Sequence, residues 1–234
     1  QGFNPHPNMV FGLPLSVGVT SESEYADFEL SYYVEPDEFT KRLNSNLPDG
    51  LAVIEAKEKI TKSNIMATIA AADYEILVSA TNKLEYSYIE NIIKDIIEKD
   101  SIFVTKESKN SKKEVDIRPM IHVLDAKIMG TSGMDDKNHA VSDREEISNT
   151  FLLNYIRDLY KYDSSQLSYD VKNIFCIRAK LSAGSKSNLK PDLLISAFNL
   201  LSDMEFKLVK VHRTGLYIEK ESRILDPISK DALS

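Results

Sequence analysis

Residues able to do chemistry are scattered along this chain, and His6 has the setting that most favours a reaction. His6 lies between Pro5 and Pro7, which hold the backbone extended. A rigid, accessible imidazole there could bind a phosphate or carry a proton. The alternative is a loop histidine that hydrogen-bonds a backbone carbonyl. The remaining histidines lack the spacing of metal ligands, so we predict no metal site in this chain.

Cys176 offers a second possibility, because it alternates with Arg178 and Lys180 in a run with the pattern of a strand. If the strand is regular, the three side chains share one face, and the cations would favour the reactive thiolate. The alternative is a small core residue. No histidine adjoins Cys176 in the sequence to complete a nucleophilic pair.

The distribution of charge is more informative than any single motif. The chain has 234 residues, with 29 Lys and Arg against 36 Asp and Glu, which excludes a uniformly basic nucleic-acid-binding surface. Residues 20–58 contain three basic and ten acidic residues, whereas residues 172–223 contain ten basic and five acidic ones. The basic region predicts RNA binding through phosphate contacts, and the equal alternative is an ordinary basic patch or one that docks an acidic protein surface.

The candidate contacts for RNA or another substrate come from this region and from the opening loop. They are Phe3, Asn4, His6, Arg178, Lys180, Lys186, Lys210 and Arg213. His6 is also the one candidate for an acid or base catalyst, and whether the chain is an enzyme stays open.

The periodicity of apolar residues predicts an α+β fold. Residues 1–60 give the order β-β-α-β, with a helix that begins at Pro36, and residues 61–234 give β-α-β-β-α-β around an insertion at about 130–170. The clearest helical spacing runs from Tyr88 to Ile97. We therefore predict two tandem ferredoxin-like units, each an antiparallel sheet with helices on one face. The first unit would lack its N-terminal strand and helix, so a truncated start is expected.

The protein is expected to be cytoplasmic and free of membrane contact. No stretch approaches about 18 consecutive apolar residues, the length that a membrane-spanning helix needs. One cysteine cannot form an internal disulfide or hold an iron–sulfur cluster on three or four thiolates.

Several short motifs resemble the radical-SAM-linked protein family, a bacterial domain of unknown function fused to or encoded beside cobalamin-binding radical-SAM proteins. The matching segments lie at residues 1–7, 15–19, 24–27, 44–50, 116–119 and 213–217. The last two contain Asp116, Arg118 and Gly215, which we interpret as structural. Asp116 and Arg118 are two residues apart on one predicted strand, and this spacing predicts an ion pair between them.

The resemblance implies an accessory domain that docks a radical-SAM enzyme or presents its substrate, with RNA among the candidates. This chain would need no cofactor, since S-adenosylmethionine, the iron–sulfur cluster and cobalamin would be bound by the partner. The family also implies a strand and a helix before Gln1. Two alternatives stay open: a stand-alone RNA-binding or RNA-processing protein of tandem ferredoxin-like type, and a protein-interaction module.

Overall fold

A six-stranded sheet forms the centre of the protein. The computed structural model describes residues 8–82, 85–108, 111–128, 154–155 and 173–233. The strands of this sheet are β2 (Val19–Ser21), β4 (Ile69–Ala80), β7 (Ile121–Ile128), β8 (Ile174–Ser182), β9 (Phe206–Lys220) and β10 (Arg223–Leu225). Their order is β10-β9-β4-β8-β7, and β2 pairs parallel with β9. All other pairs are antiparallel.

Two helices cover one face of the sheet, α3 (Tyr86–Glu98) and α4 (Pro191–Leu200). The predicted spacing places Ile89, Ile92 and Ile96 of α3 in the core, and Phe198 of α4 is completely buried. Alternate residues of each strand meet these helices, as the period of two requires. On β8 the core positions are Phe175, Ile177, Ala179 and Leu181.

Apart from a hairpin between α3 and β7 and the short elements after β9, the described elements from β4 onward are β4, α3, β7, β8, α4 and β9, a β-α-β-β-α-β order. The four strands of this unit lie in the order β9-β4-β8-β7, with both helices on one face. A hairpin of β5 (Phe103–Ser108) and β6 (Ser111–Asp116) is inserted after α3, followed by a 3-10 turn over Arg118–Met120. The sequence predicts a strand over residues 114–127 that is interrupted at Pro119, and the structure has this interruption.

The first half of the chain does not confirm a second ferredoxin-like unit. It contains a two-stranded ribbon of β1 (Met9–Phe11) and β3 (Ala26–Phe28), the predicted helix α1 (Pro36–Asn44), a short helix α2 (Ile65–Thr68) and β2. Because β2 is hydrogen-bonded to β9, the first half contributes a strand to the main sheet. The fold is α+β, and the division at residue 60 stays a prediction.

Three local predictions are wrong for physical reasons. The sequence pattern predicts a strand over residues 51–55, but the Asn44 side chain binds both backbone groups of Val53 there. It also predicts a strand over residues 65–79, but residues 65–68 form a helical turn, capped by the Asn64 side chain, which accepts from the Ala67 amide. The composition of residues 106–113 predicts a charged turn, but the turn is shorter, since cross-strand pairs continue from Phe103 to Ser108.

The insertion predicted at about 130–170 lies outside the described residues except for Asn154 and Tyr155, which are helical. The same holds for the loop expected at 130–142. In the part of the chain that the structure describes, no helix is long and apolar enough to cross a membrane.

Truncation of Phe198 tests the core between α4 and the sheet. Its ring meets that of Phe206 edge to face, with 5.9 Å between the centroids. We expect Phe198→Ala to lower the free energy of unfolding by about 3–5 kcal/mol, because it leaves a cavity in a packed core. Chemical denaturation measures the change. Leu200→Ala on the same helix is the matched control, since Leu200 is 61% exposed; equal losses in the two variants would contradict the assigned helix face.

Candidate functional site on the outer sheet face

The face of the sheet turned away from α3 and α4, called the outer face below, carries charged side chains from neighbouring strands. Asp73 of β4 lies opposite Lys180 of β8. Glu75, two residues further along β4, lies opposite Arg178 on one side and His212 of β9 on the other. Side chains of such cross-strand pairs point to the same face and interact. The sheet thus assembles a polar cluster from three segments that are distant in sequence.

A tyrosine, a lysine and a carboxylate form the most closely connected part of this cluster. Tyr217 Oη donates a hydrogen bond to Asp73 Oδ2 at 2.6 Å, and Lys180 Nζ lies 3.3 Å from the same oxygen. The Lys180 ammonium also lies over the Tyr217 ring, 3.5 Å from its centroid, a cation–π contact. Gly215 makes this geometry possible, because a Cβ there would lie 3.0 Å from Tyr217 Oη.

Asp73 and Lys180 border a cavity of about 450 Å³ on the outer face. Its charged lining consists of Glu22, Asp73, Glu75, Asp125, Arg178 and Lys180. The Arg178 guanidinium is 3.0 Å from the Asp125 carboxylate, and Glu75 is buried at 7% exposure. The volume falls in the range of small-molecule sites, and the lining offers both carboxylates and cations to a ligand.

His212 connects this cavity to the N-terminal segment. Its Nδ1 lies 2.9 Å from Thr20 Oγ1, and its Nε2 lies 3.4 Å from Glu22 Oε2. The imidazole is almost fully buried at 3% exposure. These contacts hold Glu22, which follows β2, at the rim of the cavity beside Glu75.

The eight contact residues predicted from the sequence lie in different surroundings in the fold. Phe3, Asn4 and His6 lie outside the described residues. Arg178 and Lys180 lie in the cluster. Lys186 Nζ is 3.3 Å from Glu219, and Lys210 Nζ donates to the Gly18 carbonyl at 2.9 Å and lies 5.5 Å from the Tyr155 ring centroid.

Arg213, the eighth of these residues, is an internal anchor. It is 2% exposed, and its guanidinium donates to both carboxylate oxygens of Glu24 at 2.6 and 2.7 Å and to the Leu13 carbonyl at 2.9 Å. A planar guanidinium matches a carboxylate in this two-point way. Arg213 therefore holds the N-terminal segment against β9 and presents no exposed cation.

The remaining charged motif residues, Asp116 and Arg118, do not form the predicted ion pair and instead contact the backbone. The Asp116 carboxylate accepts from the backbone amides of Ile102 and Arg118. The Arg118 guanidinium donates to the carbonyls of Ile97 and Ile121. Because Ile97 is in the last turn of α3, this arginine satisfies a carbonyl at the end of that helix. The two side chains stabilise the turn separately.

Cys176 shares the outer face with Arg178 and Lys180, as the alternation predicts, but it is buried at 1% exposure. The small core residue is therefore the interpretation that the geometry favours. At the edge strand, His122 Nε2 lies 3.0 Å from Ser182 Oγ. Burial, followed by the charge of Lys180, lowers the pKa of His122, so its imidazole is neutral at neutral pH.

The chemistry of the cluster favours binding. Burial, followed by the hydrogen bond to Asp73, raises the pKa of Tyr217, so the phenol keeps its proton at neutral pH and acts as a hydrogen-bond donor. A metal ion would need three or more imidazole, thiolate or carboxylate groups within reach, and no such group of side chains occurs among the described residues. The site offers fixed charges and hydrogen-bond donors to a ligand.

Sequence reasoning missed Asp73, Glu75 and His212. A signal was present for the first two, since they are the only charged residues in the apolar run Ile69–Ala80. Burying a charged side chain in a central strand costs free energy unless the charge is paired, so such a residue indicates a partner or a function. Those partners come from β8 and β9, about a hundred residues later, so the local pattern could not identify them.

The structure thus defines an α+β domain with a polar cavity on the outer face of its sheet. Its sequence belongs to a family of uncharacterised proteins conserved in bacteria, DUF2344, whose model matches residues 1–154. No curated protein and no solved structure matches the chain. The family description does not mention radical-SAM proteins, so the partnership implied by the resemblance stays a proposal.

The raised pKa of Tyr217 predicts a loss of stability in alkali. The unfolded phenol titrates near pH ~10, below the folded group. The contribution of Tyr217 to the free energy of unfolding is therefore complete below pH ~10, and it is lost as the pH rises through the pKa of Tyr217 in the folded protein. We expect the free energy of unfolding to fall above pH ~10, and to fall less steeply in Tyr217→Phe. Denaturation curves at increasing pH measure both slopes.

Tyr32→Phe is the matched control for this experiment, because Tyr32 is an exposed tyrosine. It should leave the alkaline slope of the parent unchanged. Burial also raises the pKa of Tyr25 and Tyr74, so part of the slope should persist in Tyr217→Phe. Identical slopes in the parent and Tyr217→Phe would contradict the buried Tyr217–Asp73 bond.

Removal of the Arg213 guanidinium should detach the N-terminal segment. We expect Arg213→Met to lower the free energy of unfolding by about 1.5–3 kcal/mol, the range for hydrogen bonds to charged groups. Limited proteolysis should then cleave within residues 8–28 before the rest of the chain. Arg223→Met is the control, since its ion pair with Asp231 is exposed. Resistance of residues 8–28 in Arg213→Met would contradict the anchoring role.

Proposed function

We propose that this chain is an accessory binding domain whose outer-face cavity holds a small ligand that is cationic or zwitterionic. The observation that carries the proposal is the lining of the cavity, to which the described residues contribute four carboxylates and two cations. The two cations lie within ion-pair distance of Asp125 and Asp73. The predominance of carboxylates among these lining residues favours a ligand with an amine or guanidinium group.

The arrangement of groups supports a defined orientation for such a ligand. Glu75 lies between Arg178 and His212 in the register of the sheet, and Glu22 reaches the cavity from the edge. A cationic group of the ligand would meet these two carboxylates. Lys180 and Arg178 would meet an anionic group at the other side, because both ammonium and guanidinium groups bind carboxylates.

We propose further that the ligand is a substrate for a partner enzyme of the radical-SAM class, to which S-adenosylmethionine, the iron–sulfur cluster and cobalamin would belong. The support for this step is the resemblance of the motifs at residues 24–27, 116–119 and 213–217. In this structure those motifs supply anchors of the fold, among them Glu24, Arg213 and Gly215. The cavity would then present the substrate, and the partner would carry out the reaction.

RNA is a second candidate ligand, favoured by the identity of the exposed sheet residues. Arg178, Lys180 and Lys210 lie on the outer face with Tyr217, and β-α-β-β-α-β sheets that bind RNA combine basic and aromatic side chains in this way. Two observations argue against RNA. Arg178 and Lys180 each lie within 3.3 Å of a carboxylate, and the Lys180 ammonium covers the Tyr217 ring. Both features reduce the attraction for phosphate and base.

Calorimetric titration with a panel of defined probes tests the proposal. The panel contains arginine, lysine and spermidine, adenosine monophosphate as an anion, and a single-stranded RNA oligonucleotide. We expect the cationic probes to bind and the anion not to bind. Glu75→Gln should weaken binding about tenfold, since a hydrogen bond to a charged group contributes about 1.5 kcal/mol or more.

Glu219→Gln is the matched control, because Glu219 is a carboxylate of β9 outside the cavity that pairs with Lys186. It should bind the probes as the parent does. Equal binding by the parent and Glu75→Gln, or binding of adenosine monophosphate alone, would refute the proposed ligand class. RNA binding with a steep salt dependence, lost in the double variant Lys180→Glu and Lys186→Glu, would assign the outer face to RNA instead.

A further inference from the structure

A second surface, formed by residues 28–60 and called the acidic apolar surface below, lacks a core of its own. In the continuous described segment 8–82, no residue from 13 to 64 is fully buried, although this stretch includes α1. Large apolar side chains are exposed there: Leu30, Tyr32, Tyr33, Leu51, Ile54 and Ile60, at 46 to 85%. An amphipathic helix gains most of its stability from packing its apolar face, and α1 has no buried residue.

Side-chain contacts hold this region together in spite of its exposure. The rings of Phe28 and Phe39 meet edge to face with their centroids 5.2 Å apart, which joins β3 to α1. The Asn44 amide at the end of α1 accepts from the Val53 amide at 2.7 Å and donates to its carbonyl at 3.0 Å. Lys59 Nζ lies 2.6 Å from the Asp27 carboxylate. The exposed side chains are therefore displayed on a defined surface.

The charge of the same segment indicates what would cover it. Residues 28–60 contain seven carboxylates and four cations, and three of those cations, Arg42, Lys57 and Lys59, pair with carboxylates. Exposed apolar groups surrounded by charge mark interaction surfaces, and complementary charge selects the partner. A negative border favours a partner that is positive.

We propose that the acidic apolar surface docks a segment of a partner protein that combines apolar side chains with lysines or arginines, such as an amphipathic basic helix. Helices of this kind place an apolar face in a groove and their cations at its border. The inference gives the partner in the proposed function a place to bind, and in that respect it rests on that proposal. The surface and the outer-face cavity are separate sets of residues, so each can be tested alone.

Fluorescence anisotropy with two synthetic helical peptides tests this docking site. One peptide has leucines on one face and lysines on the other, and the second replaces each lysine by glutamate. We expect the lysine peptide to bind, more weakly at high salt, and the glutamate peptide not to bind. The double variant Ile54→Glu and Ile60→Glu should weaken binding of the lysine peptide about tenfold, since it removes two apolar contacts. Hydrogen exchange should show peptide protection confined to residues 28–60.

Leu200→Glu is the matched control, because Leu200 is a similarly exposed apolar residue of α4. It should bind the peptide as the parent does. Equal binding of both peptides, or an equal loss in Leu200→Glu, would overturn the proposal. A dimer in sedimentation experiments that the Ile54 and Ile60 double variant dissociates would overturn it in favour of a second copy of the chain.

The two proposals fail independently. Glu75→Gln should leave peptide binding unchanged, and the Ile54 and Ile60 double variant should leave binding of the cationic probes to the cavity unchanged. Loss of peptide binding in Glu75→Gln would show that the peptide occupies the cavity, which would refute the separate docking surface.

Discussion

The buried guanidinium of Arg213 is the interaction on which the arrangement of this protein depends. It binds Glu24 and the Leu13 carbonyl from the helix-covered side of β9. The next residue toward the N-terminus, His212, binds Thr20 and Glu22 from the outer face. Because consecutive strand residues point to opposite faces, two adjacent side chains hold the N-terminal segment on both faces of the sheet. These side chains and the pairing of β2 with β9 together bring Glu22 to the cavity, so the site and the fold share the same attachment.

A carboxylate in the central strand imposes a second constraint. A charge at Asp73 is costly unless polar partners surround it, and the sheet supplies them from both neighbouring strands. Tyr217 donates from β9, and Lys180 lies beside it on β8. The phenol can cross to β4 because residue 215 is a glycine, whose missing Cβ leaves room for the ring. The irregular pairing between Asp73 and Tyr74 accompanies this arrangement.

The sequence predicted the helices and strands that are marked by the periodicity of nearby apolar residues. It did not predict contacts between residues that are far apart in the chain. The spacing of Ile89, Ile92 and Ile96 identifies α3 and its buried face, and alternation identifies β8. The outer-face cluster arises from the register of β4 with β8 and β9. That register depends on packing across a hundred residues, which no local window contains. For this reason Asp73 and Glu75 were visible as charges but not as parts of a site.

The register of the sheet also shows where the basic side chains of the C-terminal region lie. Counted along the sequence, residues 172–223 carry an excess of five positive charges, which suggests an exposed cationic face. In the fold, Arg178, Lys180 and Arg213 each meet a carboxylate from an earlier part of the chain. Three of the ten basic residues of this region are therefore paired with carboxylates from earlier in the chain, and one of these pairs, Arg213–Glu24, joins the first half of the chain to β9. Residues 28–60 combine an acidic excess with exposed apolar side chains, and that combination, rather than the basic residues of the C-terminal region, supports the docking surface proposed above.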